Sequence, residues 1–66
     1  MSIGANIKTK RCALNMSQKD LAQAVNVKQA MICQIERGAK VPSLPLSLAI
    51  AQALHCEVTE LAEGMI

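Results

Sequence analysis

The hydrophobic positions of this chain recur every three or four residues, and no segment alternates hydrophobic and polar residues in the way a strand does. Asn, Gly and Pro residues divide the pattern into five segments. We therefore predict an all-α protein with helices over about 3–14, 17–25, 29–37, 43–54 and 58–63. At 66 residues, the chain is expected to form a single domain over residues 1–66.

The second and third predicted helices are separated by a turn of about three residues, which is the spacing of a helix-turn-helix. Ser17 is a suitable N-cap for the first of the two, with Asp20 three residues later as a short capping box. Asn26 stands where the turn favours a left-handed residue, and Gly38 ends the third helix. The motif is thus bounded by local signals at both ends.

The polar side chains of the third helix are compatible with DNA. In a helix-turn-helix the first helix lies across the phosphate backbone, and the second presents its N-terminal turn to base edges in the major groove. Gln29 can pair with adenine, and Ala30 can contact a thymine methyl group. Lys28 and Gln34 can reach base edges or phosphates, and Gln18 can contact a phosphate.

A set of spaced residues extends beyond the motif through most of the chain. It comprises Ser17-Gln18-x-x-Leu21-Ala22, Val27, Ile32, Ile35-Glu36-Arg37-Gly38, Pro42 and Ile50-Ala51-x-x-Leu54. From about residue 7 to residue 61, the chain resembles the Cro/phage-repressor-type helix-turn-helix, the XRE family. The resemblance implies a compact, lambda-repressor-like bundle of five helices that binds a double-stranded DNA operator, usually as a dimer.

The resemblance also implies roles for individual positions. The expected groove and backbone contacts are Gln18, Lys28, Gln29, Ala30 and Gln34, with phosphate contacts from Arg37 and Lys40. We add Ser17, the expected N-cap of the first helix of the motif. We also add Met31, for which a core position, an edge contact and a base contact all stay open. Arg11 and Glu36 would form a structural ion pair, partly buried, whose disruption would strand a charge.

Several positions depart from the family pattern. Asn26 replaces the usual glycine of the turn, and Lys28 replaces a small hydroxyl cap, so the third helix should be capped less well. Met31 and Cys33 stand where serine or threonine is common, and Ser47 stands where leucine is common. The base preference therefore cannot be carried over from relatives.

The charges are distributed unevenly along the chain. All seven Lys and Arg residues lie between positions 8 and 40, where Asp20 and Glu36 oppose them, leaving +5 on residues 1–40. Residues 41–66 carry three glutamates and no Lys or Arg, which gives −3. A basic half suits a polyanion, and the acidic end is expected to face away from it.

The remaining composition argues against an enzyme or a metal protein. Three cysteines without a C-x-x-C spacing favour reduced thiols, with Cys12 and Cys56 expected as small core residues. A metal site at His55 and Cys56 would need two further ligands that no spacing supplies. We expect no cofactor, no metal and no membrane contact. The expected location is the cytoplasm, for a nucleoid-associated bacterial or a phage-encoded protein.

The fourth predicted helix is apolar on nearly all sides, which suggests burial on a second surface. Its two stripes are Leu44, Leu48, Ala51, Leu54 and Leu46, Ala49, Ile50, Ala53. We predict a homodimer with a two-fold interface formed by Leu46, Val58, Met65 and Ile66. The two recognition helices would then lie about one DNA turn apart, roughly 34 Å.

These observations favour a sequence-specific transcriptional regulator, most simply a repressor. The alternative is a protein-interaction module of the same fold, either the antitoxin partner of a toxin or a helical adaptor. Lys28, Arg37 and Lys40 favour DNA, because a protein-binding face would be expected to be acidic or apolar.

Overall fold

Five helices account for most of the computed structural model, which describes residues 2–62. They are α1 (Ile3–Ala13), α2 (Gln18–Ala24), α3 (Gln29–Glu36), α4 (Leu44–Ala53) and α5 (Val58–Leu61). The all-α prediction is confirmed, and the helix positions agree with the pattern to within about two residues. No described helix is long and apolar enough to cross a membrane.

Serine hydroxyls cap three of the helices. Ser2, Ser17 and Ser43 precede α1, α2 and α4, and each accepts the backbone N–H three residues later, at 3.1, 2.9 and 3.3 Å. The predicted capping box of α2 is reciprocal, because the Asp20 carboxylate accepts the backbone N–H of Ser17 at 3.0 Å. This hydrogen bond lowers the pKa of Asp20.

Four helices end in the same turn. In each of these helices, the residue directly after the C-cap has a positive φ. These residues are Asn15 (56°), Asn26 (60°), Gly38 (81°) and His55 (56°). Each donates its N–H to the carbonyl three residues back, and the following residue donates to the carbonyl five residues back. This is the Schellman arrangement, which satisfies carbonyls at a helix end. The left-handed turn predicted at Asn26 is confirmed, while the one at His55 was not predicted.

All five helices contribute to an aliphatic core. The helix α3 packs against α1 and α2, and α5 packs against α1 and α4. The buried hydrophobic residues are Ile7, Leu21, Ala22, Ile32, Ile35, Ile50, Ala51, Leu54 and Leu61.

One expected core position on α1 is wrong. Cys12 is exposed, because Ile7 and Arg11, four residues apart, occupy the inner face and Cys12 lies about 100° further round the helix. Leu14, the C-cap of α1, is also exposed. Cys56 is half-buried against the core, as expected, and burial raises the pKa of its thiol.

The helix α4 divides its apolar residues differently from either predicted stripe. Ile50, Ala51 and Leu54 are buried, while Leu44 and Leu48 are 67% and 51% exposed. The buried face of α4 therefore carries Ser47, Ile50 and Ala51, spaced three and four residues apart, and Leu44 and Leu48 form an exposed apolar surface on another face.

The N-terminal part of α1 makes two close contacts with other helices. The buried Asn6 side chain donates from Nδ2 to the carbonyl oxygen of Leu61 at 2.8 Å, which joins α1 to the end of α5. At Gly4, α1 meets the end of α3 so closely that a Cβ atom would overlap the carbonyl oxygen of Ile35. Gly4 is thus required by backbone packing rather than by a turn.

Candidate nucleic-acid interface

The helices α2 and α3 form the predicted helix-turn-helix. They pack against each other, and four residues around the left-handed Asn26 connect them. Lys28 is the N-cap of α3 and makes no side-chain capping hydrogen bond. The prediction that this helix is capped less well is therefore confirmed, and the amine of Lys28 is left at the exposed start of α3.

The helix α3 separates a buried side from an exposed polar side. Ile32 and Ile35 are buried in the core. The other side of the helix carries positions that are three or four residues apart and therefore share one face, namely 29, 30, 33, 34 and 37. The predicted contact residues that are exposed on α3 and its flanks are Lys28, Gln29, Ala30, Gln34, Arg37 and Lys40.

Met31 and Cys33 lie at the edge of this face. Both are half-buried, and the side chain of Met31 packs against the core. Of the three interpretations left open for Met31, packing at the edge of the core is the one that its burial supports. Its thioether and methyl groups offer apolar contact alone.

Glu36, the last residue of α3, is held by Arg11. The Arg11 guanidinium donates from Nε to Oε2 at 2.7 Å and from Nη2 to Oε1 at 3.0 Å, a bidentate arrangement. Arg11 also donates from Nη1 to the carbonyl oxygen of Met16 at 2.7 Å, in the turn before α2. The side chains of Arg11 and Glu36 are 10% and 3% exposed, so this ion pair is removed from solvent.

The electrostatic consequence is that Glu36 stays ionised without adding negative charge to the exposed face. Burial by itself would raise the pKa of Glu36, but hydrogen bonds from Arg11 and Gln18 and the charge of Arg11 outweigh it. The pKa of Glu36 therefore lies below its usual value. The same hydrogen bonding raises the pKa of Arg11.

Gln18 has a partner that the sequence did not predict. Its side chain is half-buried, and Nε2 donates to Oε1 of Glu36 at 3.1 Å. The first residue of α2 is thereby tied to the last residue of α3. Sequence spacing carries no signal for this contact, because the two residues are 18 positions apart and meet through tertiary packing. Ser17, beside it, is exposed, and its hydroxyl caps α2.

Two acidic residues of the C-terminal half, Glu57 and Glu60, lie at the start of α5. The Glu60 carboxylate accepts the backbone N–H of Glu57 at 2.7 Å, in a capping box. Nζ of Lys10 lies 3.6 Å from Oε1 of Glu60. The hydrogen bond from the Glu57 backbone lowers the pKa of Glu60. Among residues 2–62, no three His, Cys, Asp or Glu side chains are placed to hold a metal ion.

The structure describes two of the four residues predicted for the dimer interface. Leu46 and Val58 are half-buried and pack against the core of their own chain. Met65 and Ile66 lie outside the described residues. The large hydrophobic side chains that are most exposed in residues 2–62 are Val41, Leu44 and Leu48.

Comparison with known proteins agrees with this geometry. The model of the Helix-turn-helix family matches residues 7–61. An uncharacterized HTH-type transcriptional regulator of Archaeoglobus fulgidus is 34% identical over 55 residues, which is 83% of this chain and 78% of that protein.

Two solved structures share the fold at significant sequence identity. The P22 c2 repressor, solved in complex with a synthetic operator, is 31% identical with a TM-score of 0.91, covering 97% of each chain. The restriction-modification controller protein C.AhdI from Aeromonas hydrophila is 32% identical with a TM-score of 0.86, covering 89% of each chain. The matched residues include α2, the turn at Asn26 and α3 with its exposed polar face. The chain therefore belongs to the helix-turn-helix family of DNA-binding transcriptional regulators.

Proposed function

We propose that α3 is the recognition helix and enters the major groove of an operator in double-stranded DNA. The observation that carries this proposal is the exposed face of α3, which combines Lys28, Gln29 and Arg37 and exposes no carboxylate. Glu36, the acidic residue of the helix, is 3% exposed and neutralised by Arg11. The resulting positive, hydrogen-bonding surface is complementary to the groove and its phosphates.

The side chains of this face have separate tasks. Gln29 and Gln34 read base edges, since a glutamine amide can pair with N6 and N7 of adenine. Ala30 contacts a thymine methyl group. Met31 adds apolar contact through the exposed part of its side chain.

The phosphate contacts surround the reading residues. Lys28, Arg37 and Lys40 supply positive charge near the start and the end of α3, and all three are exposed. Ser17 and Gln18, at the start of α2, contact the backbone from the other side. Such contacts position the protein on DNA without specifying sequence.

The regulatory outcome that we propose is repression, in which the bound protein blocks polymerase at its operator. The P22 c2 repressor, which shares this fold over nearly its whole length, was solved on a synthetic operator. This similarity supports DNA rather than a protein such as a toxin as the partner of α3.

Replacing Gln29 by alanine should weaken binding to the selected operator by roughly 1–3 kcal/mol and relax the preference at one base pair.

Lys40→Ala should instead leave the base preference unchanged. It should reduce the slope of log K against log salt concentration by about 0.9, the value for one lost phosphate contact. The operator comes from selection of bound sites from random DNA, and affinities are measured at several salt concentrations.

The matched control for this test is Gln23→Ala, which removes an exposed glutamine of α2 rather than α3. It should behave as the natural chain. If Gln29→Ala weakened binding equally on all sequences, Gln29 would not be a base reader. Selection of no sequence at all would overturn the proposed function.

We also infer that two copies bind the operator as a two-fold dimer, through a surface formed by Val41, Leu44 and Leu48. These side chains are 80%, 67% and 51% exposed. Val41 lies in the connection before α4, and Leu44 and Leu48 lie four residues apart on α4, where they share one helix face. Three side chains cover far less than the roughly 800 Å² that each partner buries in a standard interface. The dimer should accordingly be weak in solution and should form on DNA.

Leu48→Glu should therefore reduce the cooperativity of binding to a two-fold operator while leaving the affinity for an isolated half-site unchanged. A carboxylate at the centre of an apolar contact must be desolvated, which opposes association. Analytical ultracentrifugation with and without DNA measures the stoichiometry. Thr59→Glu on α5 is the control, because Thr59 is exposed and lies outside this surface. A natural chain that stays strictly monomeric on its operator would contradict the dimer.

A further inference from the structure

Gln18 and Glu36 form a link between the two helices of the motif. The Gln18 amide donates from Nε2 to Oε1 of Glu36 at 3.1 Å, and this oxygen also accepts from Nη2 of Arg11 at 3.0 Å. Oε2 of Glu36 accepts from Nε of Arg11 at 2.7 Å. Both oxygens of a nearly buried carboxylate are thus engaged, so Glu36 is a fixed acceptor for Gln18.

The contact with Glu36 uses part of the hydrogen-bonding capacity of Gln18. A primary amide has two N–H groups and a carbonyl oxygen, and Glu36 takes one N–H. A second N–H and the oxygen remain on a side chain that is half-exposed at the start of α2. Because Glu36 holds the amide, the rotamer freedom of this long side chain is already restricted in the free protein.

We propose that Glu36 is a positioning residue for DNA binding, which holds the Gln18 amide so that its second N–H donates to a DNA phosphate. The first N–H stays on Glu36 in the complex. This inference rests on the proposed function of α2 and α3. Its consequence is that the phosphate contact at the start of α2 and the register of α3 in the groove are set together, by a residue that does not touch DNA.

The affinity test combines a protein variant with modified DNA. Single phosphates of the selected operator are replaced by neutral methylphosphonates, and the affinity of each duplex is measured. Replacement of the phosphate that Gln18 contacts should weaken binding of the natural chain about fivefold, the factor that corresponds to a hydrogen bond of about 1 kcal/mol. Gln18→Met, which has similar length and no hydrogen-bonding amide, should bind the unmodified duplex about fivefold more weakly and lose sensitivity at that position alone.

Gln23→Met is the matched control, since Gln23 is an exposed glutamine on the same helix. It should give the phosphate profile of the natural chain. Sensitivity at phosphates near Lys40 should persist in both variants. A Gln18→Met profile identical to that of the natural chain would overturn the phosphate contact.

Side-chain amide NMR of the natural protein tests the positioning by Glu36. In the free protein, one Nε2 proton of Gln18 should be shifted away from its counterpart in the exposed amide of Gln23, because it is hydrogen-bonded to a carboxylate. On addition of operator DNA this proton should stay shifted, and the second proton should move. Two Gln18 protons at the positions of the Gln23 protons in the free protein, or loss of the shifted proton in the complex, would overturn the positioning role.

Failure of this inference is distinguishable from failure of the proposed function. A chain that selects an operator and depends on Gln29 for one base pair binds DNA as proposed, whatever Gln18 does. In that case a negative methylphosphonate result removes the phosphate contact of Gln18, and a negative NMR result removes the positioning role of Glu36, while the proposed role of α3 stands.

Discussion

Replacing Arg11 by methionine is expected to lower the free energy of unfolding by about 3–5 kcal/mol, because a charge of a buried pair is left without its partner. Glu36 would remain where 3% of its side chain is exposed, and the hydrogen bond from Arg11 to the Met16 carbonyl would also be lost. A chain of 66 residues has about 3–10 kcal/mol in total at the usual value per residue. Urea unfolding followed by circular dichroism measures the loss.

Two further variants separate charge from packing. Lys10→Met removes a cation from an exposed pair with Glu60 and should change stability little. The double variant Arg11→Met, Glu36→Leu should recover most of the loss, since a buried pair can often be replaced by apolar residues without penalty. A double variant as unstable as Arg11→Met would show that packing, not the stranded charge, is responsible.

The pH dependence of the folding stability tests the ion pair of Arg11 and Glu36 independently. The pKa of Glu36 in the folded chain lies below its usual value of 4.5, so the stabilisation is fully present above that pH. It is lost as the pH falls through the lower folded pKa. In Arg11→Met the sign should reverse, because burial then raises the pKa of an unpaired Glu36 and the variant gains stability as the pH falls.

Replacing Gly4 by alanine should also destabilise the fold, by about 1–3 kcal/mol, although the same change in an open helix stabilises by about 1 kcal/mol. The added Cβ would overlap the carbonyl oxygen of Ile35 and lie 3.0 Å from Cα of Glu36. Backbone atoms cannot move aside as a flexible side chain can, so α1 must separate from the end of α3. Thermal and urea unfolding measure the effect.

Gly38→Ala is the matched control for Gly4→Ala. Gly38 has a φ of 81°, and a Cβ there would meet no atom within 4 Å. Its replacement should cost backbone strain alone, about 1 kcal/mol. Because Gly4 packs beside Glu36, Gly4→Ala should in addition weaken operator binding among the molecules that remain folded. A Gly4→Ala chain at least as stable as the natural one would show that α1 does not approach α3 so closely.

The features that could be predicted from the sequence depend on residues a few positions apart. The capping box of Ser17 and Asp20, the left-handed turn at Asn26 and the end of α3 at Gly38 are all decided within one helical turn. The candidate face of α3 was accessible for the same reason, since helical spacing places Gln29 and Gln34 away from buried Ile32 and Ile35.

The features that could not be predicted depend on how the helices meet. The exposure of Cys12 follows from Arg11 turning inward to Glu36, and the hydrogen bond between Gln18 and Glu36 requires α2 and α3 to be packed first. Gly4 carries no signal in a single sequence, because its role exists only where two backbones touch.

The exposed apolar surface of α4 could not be predicted for the same reason. A helix that is apolar on most sides does not reveal which side the core will take. The face that carries Ser47, Ile50 and Ala51 enters the core. Leu46 is half-buried beside it, while Leu44 and Leu48 stay exposed. The exposure of Leu44 and Leu48, and not of Leu46, is the reason why the dimer surface that we propose differs from the predicted one of Leu46, Val58, Met65 and Ile66.

The hydrogen bond from Asn6 to Leu61 spans 55 positions and connects the first helix with the last. A helix of four residues such as α5 cannot hold its shape alone, so it is maintained by its docking on α1 and α4. We therefore expect the two ends of the described residues to open together, as one cooperative unit, rather than to fray independently. Because α1 packs against both α3 and α5, loosening at either end would reach α3 through α1.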